Sequence, residues 1–283
     1  MKEKLTLFQR RERIYGAIFG KKPKRNPFNF EIHLNDGCNL FCKGCFHFAP
    51  LAHGVSPYPL DEFEADMKRI CELFRGKFGW VHLLGGEPLL NKDITQYLDI
   101  VGRYVKRGQV DLITNGLLIP KMGEDFFESC KKNRIRLAIS RYPLPFDYDA
   151  VLRSVLDHGC EAYIFGDRTQ SDAFNLPALN KDSTASAKHN YLHCVIANAC
   201  VTLDHGRITY CSIPGYVRLY NEAFGQTFDA TDDWIGIHNH TKKEILDFLR
   251  TPHSFCRYCD LKKRLEHPIP WSPSEKKKEE WLS

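Results

Sequence analysis

The chain has 283 residues, 43% hydrophobic and 27% charged, which suits one large domain with a smaller appendage. Forty Lys and Arg against 35 Asp and Glu leave a formal charge of +5. That excess, concentrated in Lys21 to Arg25 and Lys262 to Lys278, reads as solvated flanks and does not indicate nucleic-acid binding.

Taken in chain order, the N-terminal MKEKLTLFQRRERIYGAIFG lacks the apolar core of a signal peptide and is too charged to span a membrane. A cytoplasmic protein without a membrane partner is expected. Leu5, Phe8, Ile14 and Ile18 fall on one face of a lead-in helix within residues 1–27. From residue 28, short apolar runs alternate with amphipathic stretches. Strands are expected at Phe28 to Leu34, Trp80 to Leu84, Val110 to Thr114, Arg136 to Ser140 and Ala162 to Phe165. Helices are expected at Leu60 to Phe74, Ile94 to Val105, Lys121 to Lys132 and Tyr148 to Leu156. This βα alternation predicts an α/β protein with a parallel sheet or partial (β/α) barrel of about five to six strands, over residues 28–190. Each strand ends in an unusual sequence (DGCNLFC, GGEP, TNG, SRYP, FGDR), and in parallel α/β folds that edge binds ligands.

Residues 167–190 are polar and weakly periodic, and read as a long, substrate-covering connection. A second, small α+β region spans 191–261. In it, Ala199 to Leu203 and Arg207 to Cys211 flank the turn Asp204-His205-Gly206 as a hairpin. Thr241 caps a helix through Arg250, with Glu244 completing a capping box. Residues 262–283 read as a surface tail.

Eleven cysteines in a cytosolic chain argue for metal or redox chemistry rather than disulfides. Cys38, Cys42 and Cys45 put three thiolates in one loop after the first strand. Closed zinc sites want four ligands, often as paired Cys-x2-Cys, and fit this spacing poorly. A [4Fe-4S] cube held by three cysteines leaves one iron open to an outside amine and carboxylate. In the C-terminal third, Cys194, Cys211, Cys256 and Cys259 can enclose either zinc or a second cube, and spacing alone leaves both open. Cys200 is spare: a substitute ligand, an inert thiol or a hydrogen-atom donor. Cys71, Cys130 and Cys160 read as core residues, and His33 as a packing residue.

The loop CNLFCKGCFHFAPLA resembles that of the radical S-adenosylmethionine (SAM) superfamily, and Gly85-Gly86-Glu87-Pro88 after the second strand extends the resemblance. It implies a TIM-type partial barrel, a SAM-binding [4Fe-4S] cluster on Cys38, Cys42 and Cys45, and SAM contacts from Gly85, Gly86, Glu87 and Pro88. Thr114, Asn115 and Ser140 stand where relatives contact ribose, and Phe165 to Asp167 where they border adenine. Many members carry an aromatic residue before the third cysteine; here Gly44 occupies that position, which passes adenine packing to Phe46 or His47. Arg141 is expected near the SAM carboxylate or a substrate hydroxyl, and His47 near the site. The pattern Cys194-x11-Gly206-x4-Cys211 followed by Cys-x2-Cys resembles the twitch domain, the short form of the SPASM extension, which implies an auxiliary [4Fe-4S] cluster. The two modules together are similar to the aminocyclitol (2-deoxy-scyllo-inosamine) dehydrogenases. This implies an oxidoreductase acting on a small sugar or aminocyclitol, with flavodoxin or ferredoxin as reductant. An epimerase using Cys200, a ribosomal-peptide maturase and a non-enzymatic metal-binding regulator are the alternatives.

Overall fold

The computed structural model describes residues 7–24, 27–165, 173–266 and 268–283. The elements run α1 (Leu7–Phe19), β1 (Phe30–His33), α2 (Leu60–Phe74), β2 (Lys77–Leu84), α3 (Ile94–Tyr104), β3 (Arg107–Thr114), α4 (Glu124–Asn133), β4 (Ile135–Ile139), α5 (Tyr148–Asp157), β5 (Ala162–Ile164) and β6 (Ala173–Phe174). They continue with α6 (Ala187–His193), β7 (Thr202–Asp204), β8 (Arg207–Thr209), α7 (Ser212–Phe224), β9 (Ile235–Gly236), α8 (Lys242–Phe248), α9 (Leu261–Glu266) and β10 (Ile269–Pro270). Among the described residues, no helix is long and apolar enough to cross a membrane.

One sheet of order β5-β4-β3-β2-β1-β7-β8-β9 organises the molecule. Its first six strands are mutually parallel, so the expected partial barrel is present and β7 supplies a sixth strand beside β1. The hairpin read as part of a separate region therefore continues the main sheet. Its two-residue turn has His205 and Gly206 at φ 43° and 68°, the left-handed pair that a tight hairpin requires.

Strand alternation divides the sheet into two unlike faces. Phe30, Ile32, Val81, Leu83, Leu112, Leu137 and Ile139 are fully buried in the apolar core they share with the flanking helices. The opposite, concave face carries Glu31, His33, His82, Asp111 and Arg136. Cys71, Cys130 and Cys160 are buried in the core as expected. The capping box forms: Thr241 Oγ1 accepts from Glu244 N, and the Glu244 carboxylate accepts from Thr241 N.

Four expectations need correction. The lead-in helix turns Glu12 and Gly16 inward, while Ile14 and Ile18 are 61% and 69% exposed; Leu5 and the side chain of Phe8 lie outside what is described. The flank at Lys21 to Arg25 is not wholly solvated, because buried Lys22 donates to the carbonyls of Cys194 and Ala197. Residues 166–172 lie outside the described residues; the connection is packed over residues 176–179 and largely exposed over 181–189. Leu176, Ala178 and Leu179 are buried, and Asn180 N and Asp260 N close a backbone pair between this stretch and the Cys256–Cys259 turn. The tail is not a surface tail: Arg264, Glu280 and Trp281 are buried, and Trp281 is fully so.

Candidate active site

The loop after β1 and the turn after β2 are joined into one rim at the C-terminal edge of the sheet. Gly86 N donates to Asn35 O at 2.8 Å and Glu87 N to Gly37 O at 2.8 Å. The Asn35 amide clamps the same junction, donating to the carbonyls of Gly37 and Glu87. A Cβ on Gly86 would stand 2.0 Å from the Gly37 oxygen, so this approach requires glycine.

Glu87 ties the rim to β3. Its carboxylate accepts from Thr114 Oγ1 at 2.7 Å, Asn115 N at 2.8 Å and Leu89 N at 3.0 Å. It is 1% exposed, and burial, outweighing these donors, pushes its pKa up to about 7. The Asn115 amide reaches back to Asn39, within the cysteine loop, at 2.7 Å. Ser140 N continues the rim by donating to Thr114 O at 2.8 Å, and Pro88 opens a short 3-10 turn. Of the residues assigned from sequence to this edge, Gly85, Gly86, Glu87, Pro88, Thr114, Asn115 and Ser140 thus belong to one connected rim.

Cys38, Cys42 and Cys45 lie in its loop as free thiols. Burial raises all three pKa values, that of Cys42 to about 12. The loop is held from outside by the C-terminal segment. Trp271 Nε1 donates to Cys42 Sγ at 3.2 Å, Trp281 Nε1 to Cys45 O at 2.9 Å, and Lys43 N pairs with Ser272 O. Gly44 has φ 65°, and a Cβ there would fall 2.2 Å from Leu176 and 3.2 Å from the Glu280 carbonyl. An aromatic residue before Cys45 therefore has neither the backbone conformation nor the space, because Leu176 and the tail at Glu280 occupy it.

The remaining candidates are more scattered. Phe46 lies beneath the Arg264 guanidinium, 5.6 Å from its Cζ, and is turned towards the second cysteine group. His47 packs edge-on against His33 at 4.5 Å, and His33 stacks on Tyr216 of α7 at 3.6 Å. Burial lowers both histidine pKa values. Arg141 is half-buried, ion-paired with Asp149 of α5 at 2.8 Å and lying over the ring of Tyr148. Phe165 is 36% exposed at the end of β5, edge-on to His82 at 5.9 Å; Gly166 and Asp167 lie outside the described residues.

Cys194, Cys211, Cys256 and Cys259 line one pocket together with Asn190, Tyr210 and Arg264. The Asn190 amide donates to the carbonyls of Cys256 and Cys259, fixing that turn against α6. Cys200 does not line this pocket; burial pushes its thiol pKa up, and the nearby Glu31, Cys211 and Cys194 push it the same way. Among the described residues, no three His, Cys, Asp or Glu side chains are grouped to hold one metal ion. A cube sets a different spacing, since each thiolate binds its own iron. Four buried cysteines beside a buried arginine suit an anionic metal–sulfur group.

Sequence reading missed the concave face. Glu31, His82, Asp111 and Arg136 are in register across four adjacent strands. His82 stands 3.8 Å from Glu31 and 3.6 Å from Asp111, and Arg136 pairs with Asp111 at 2.8 Å. Trp80 stacks on His82 at 3.9 Å, and Arg136 lies over Tyr163. The signal was present as a polar residue at every second position of FNFEIHL and as lone polar residues in VHL, VDL and IRL.

No family model matches the chain. Curated relatives named GTP 3′,8-cyclase, from Syntrophomonas wolfei subsp. wolfei and Clostridium acetobutylicum, are each 30% identical. The matches span 131 residues (45% of this chain, 39% of the relative) and 108 residues (37% and 32%). The chain thus matches well under half the length of these relatives. Among solved structures, BtrN in complex with AdoMet and 2-DOIA is 12% identical with a TM-score of 0.52, covering 87% of this chain and 100% of that one. Native anSMEcpe with bound AdoMet is 12% identical with a TM-score of 0.51, covering 86% and 89%. The chain thus shares the partial-barrel fold of these two AdoMet-bound structures.

Proposed function

We propose that the chain is a radical SAM oxidoreductase that removes hydrogen from a hydroxylated, carbohydrate-like or aminocyclitol substrate, dehydrogenating an alcohol carbon. The observation that carries this reading is the rim itself, where three cysteines, Gly-Gly-Glu-Pro and Thr114-Asn115 are hydrogen-bonded into one edge. Cys38, Cys42 and Cys45 would hold three irons of a [4Fe-4S] cluster, and Gly85 and Gly86 would offer backbone to the methionine end of SAM. When bound, cluster and SAM supply a 5′-deoxyadenosyl radical able to abstract hydrogen from an unactivated C–H bond.

Glu87 acts here as a strut, since its carboxylate is already engaged by three protein donors. The concave face supports a hydroxyl- or ammonium-bearing substrate, because Glu31 offers a carboxylate and Trp80 an aromatic surface. Alcohol oxidation releases one hydrogen atom, one proton and one further electron. Cys194, Cys211, Cys256 and Cys259 would hold an auxiliary [4Fe-4S] cluster able to accept that electron, with flavodoxin or ferredoxin supplying the initiating one.

A second reading, epimerisation, rests on Cys200, a half-buried free thiol outside the four-cysteine pocket that could return hydrogen to a substrate radical. The test is 5′-deoxyadenosine release from anaerobically reconstituted protein, screened with sugars, aminocyclitols, peptides, nucleosides and GTP. Cys42→Ala should abolish release, and persistence of the product would overturn the assignment. In deuterium oxide an epimerase places deuterium on product carbon, whereas a dehydrogenase consumes one SAM per ketone.

A further inference from the structure

Arg264 lies in the segment that reads from sequence as surface tail, yet it is 1% exposed. Arginine stays charged in proteins, and a buried cation without a counter-charge costs several kcal/mol. Among the described residues, no carboxylate pairs with it. Its Nε and Nη2 donate to the carbonyl of Pro177 at 3.2 and 2.5 Å, and Nη1 points at Cys194 Sγ from 3.9 Å. Its other electrostatic neighbours are the sulfurs of Cys259 and Cys211. Its outer face rests on Phe46, the residue after Cys45.

We propose that Arg264 is the built-in counter-charge of the four-cysteine site and raises the reduction potential of the group held there. This rests on the reading of that site as an auxiliary [4Fe-4S] cluster. Four thiolates around such a core leave a net negative charge, and one-electron reduction adds another in a buried, weakly screening environment. A guanidinium fixed against the ligand sulfurs favours the reduced state through charge and N–H···S hydrogen bonding, two of the levers that set cluster potentials. The carbonyl of Pro177 and the ring of Phe46 hold it in place, so the charge cannot swing out to water. Arg264 is thus a positioning residue for electron acceptance.

The experiment is a redox titration followed by electron paramagnetic resonance, run in a background where Cys38, Cys42 and Cys45 are replaced by alanine so that one cluster signal remains. Arg264→Met should make that cluster at least about tenfold harder to reduce at fixed potential, a negative shift of about 59 mV for a one-electron couple. Arg264→Lys, which keeps the charge, should retain most of the original potential. Loss of the cluster in the Met variant with retention in the Lys variant would equally support a counter-charge. Potentials unchanged in both variants, or loss of the cluster in both, would overturn it. The absence of any cluster signal when Arg264 is intact would instead remove the auxiliary-cluster reading on which the proposal stands.

Discussion

Glu87 illustrates how one side chain is caught between two demands. Three donors favour its carboxylate, yet full burial outweighs them and lifts its pKa to about 7. The sign of the resulting pH dependence follows. The folded protein keeps a proton that the unfolded chain releases above its ordinary value near 4.5, so Glu87 subtracts stability as pH rises from there towards 7. For protein without cluster or SAM, the wild type should lose roughly 2–3 kcal/mol more than Glu87→Gln between pH 5 and 8. Urea melts of both proteins at the two pH values measure this, and parallel losses would show that Glu87 is not the group responsible. The same scale explains Gly44: its left-handed backbone and its contact with Leu176 and the Glu280 carbonyl are set by tertiary packing.

At the scale of elements, the C-terminal segment is what the sequence conceals. Its lysines and prolines look solvent-loving, and its anchors, half-buried Trp271 and buried Glu280 and Trp281, are single residues without periodicity. By contrast, the βα units were readable because each pairs a short apolar run with an amphipathic helix; α2 begins and ends where its pattern predicts. The long helix α7 was not read, since SIPGYVRLYNEAF contains Pro and Gly near its start and follows a cysteine. Trp281 joins two regions, with its indole on Cys45 O and its carbonyl accepting from Leu179 N, beside the Cys259 bridge. Trp281→Ala should therefore cost about 3–5 kcal/mol, the usual range for emptying a large core site. It should also lower iron retention at both cysteine groups, whereas Lys277→Ala on the same segment, exposed and paired only with exposed Glu275, should do neither. Thermal melts and iron assays of reconstituted protein check this pair.

At the scale of the whole molecule, the sheet explains why two distant cysteine groups belong to one device. The first follows β1; the second is reached through β7, which hydrogen-bonds onto the other edge of that strand, and β8, which pairs with β7. Cysteine spacing carried this pairing in the sequence, but the polar row across β1 to β4 depended on register, which no local pattern fixes. The architecture implies separable roles. Reconstituted wild type should hold about eight irons, two cubes of four. Cys42→Ala and Cys256→Ala should each keep about four, because each group has its own anchors: the rim and tail for the first, Asn190 and Arg264 for the second. Their chemistry should then diverge. Cys42→Ala should form no 5′-deoxyadenosine, while Cys256→Ala should still form it with reductant and SAM but release no oxidised product. If Cys256→Ala turned over to ketone at the wild-type rate, the second group would have no part in removing the electron, and its role would be structural.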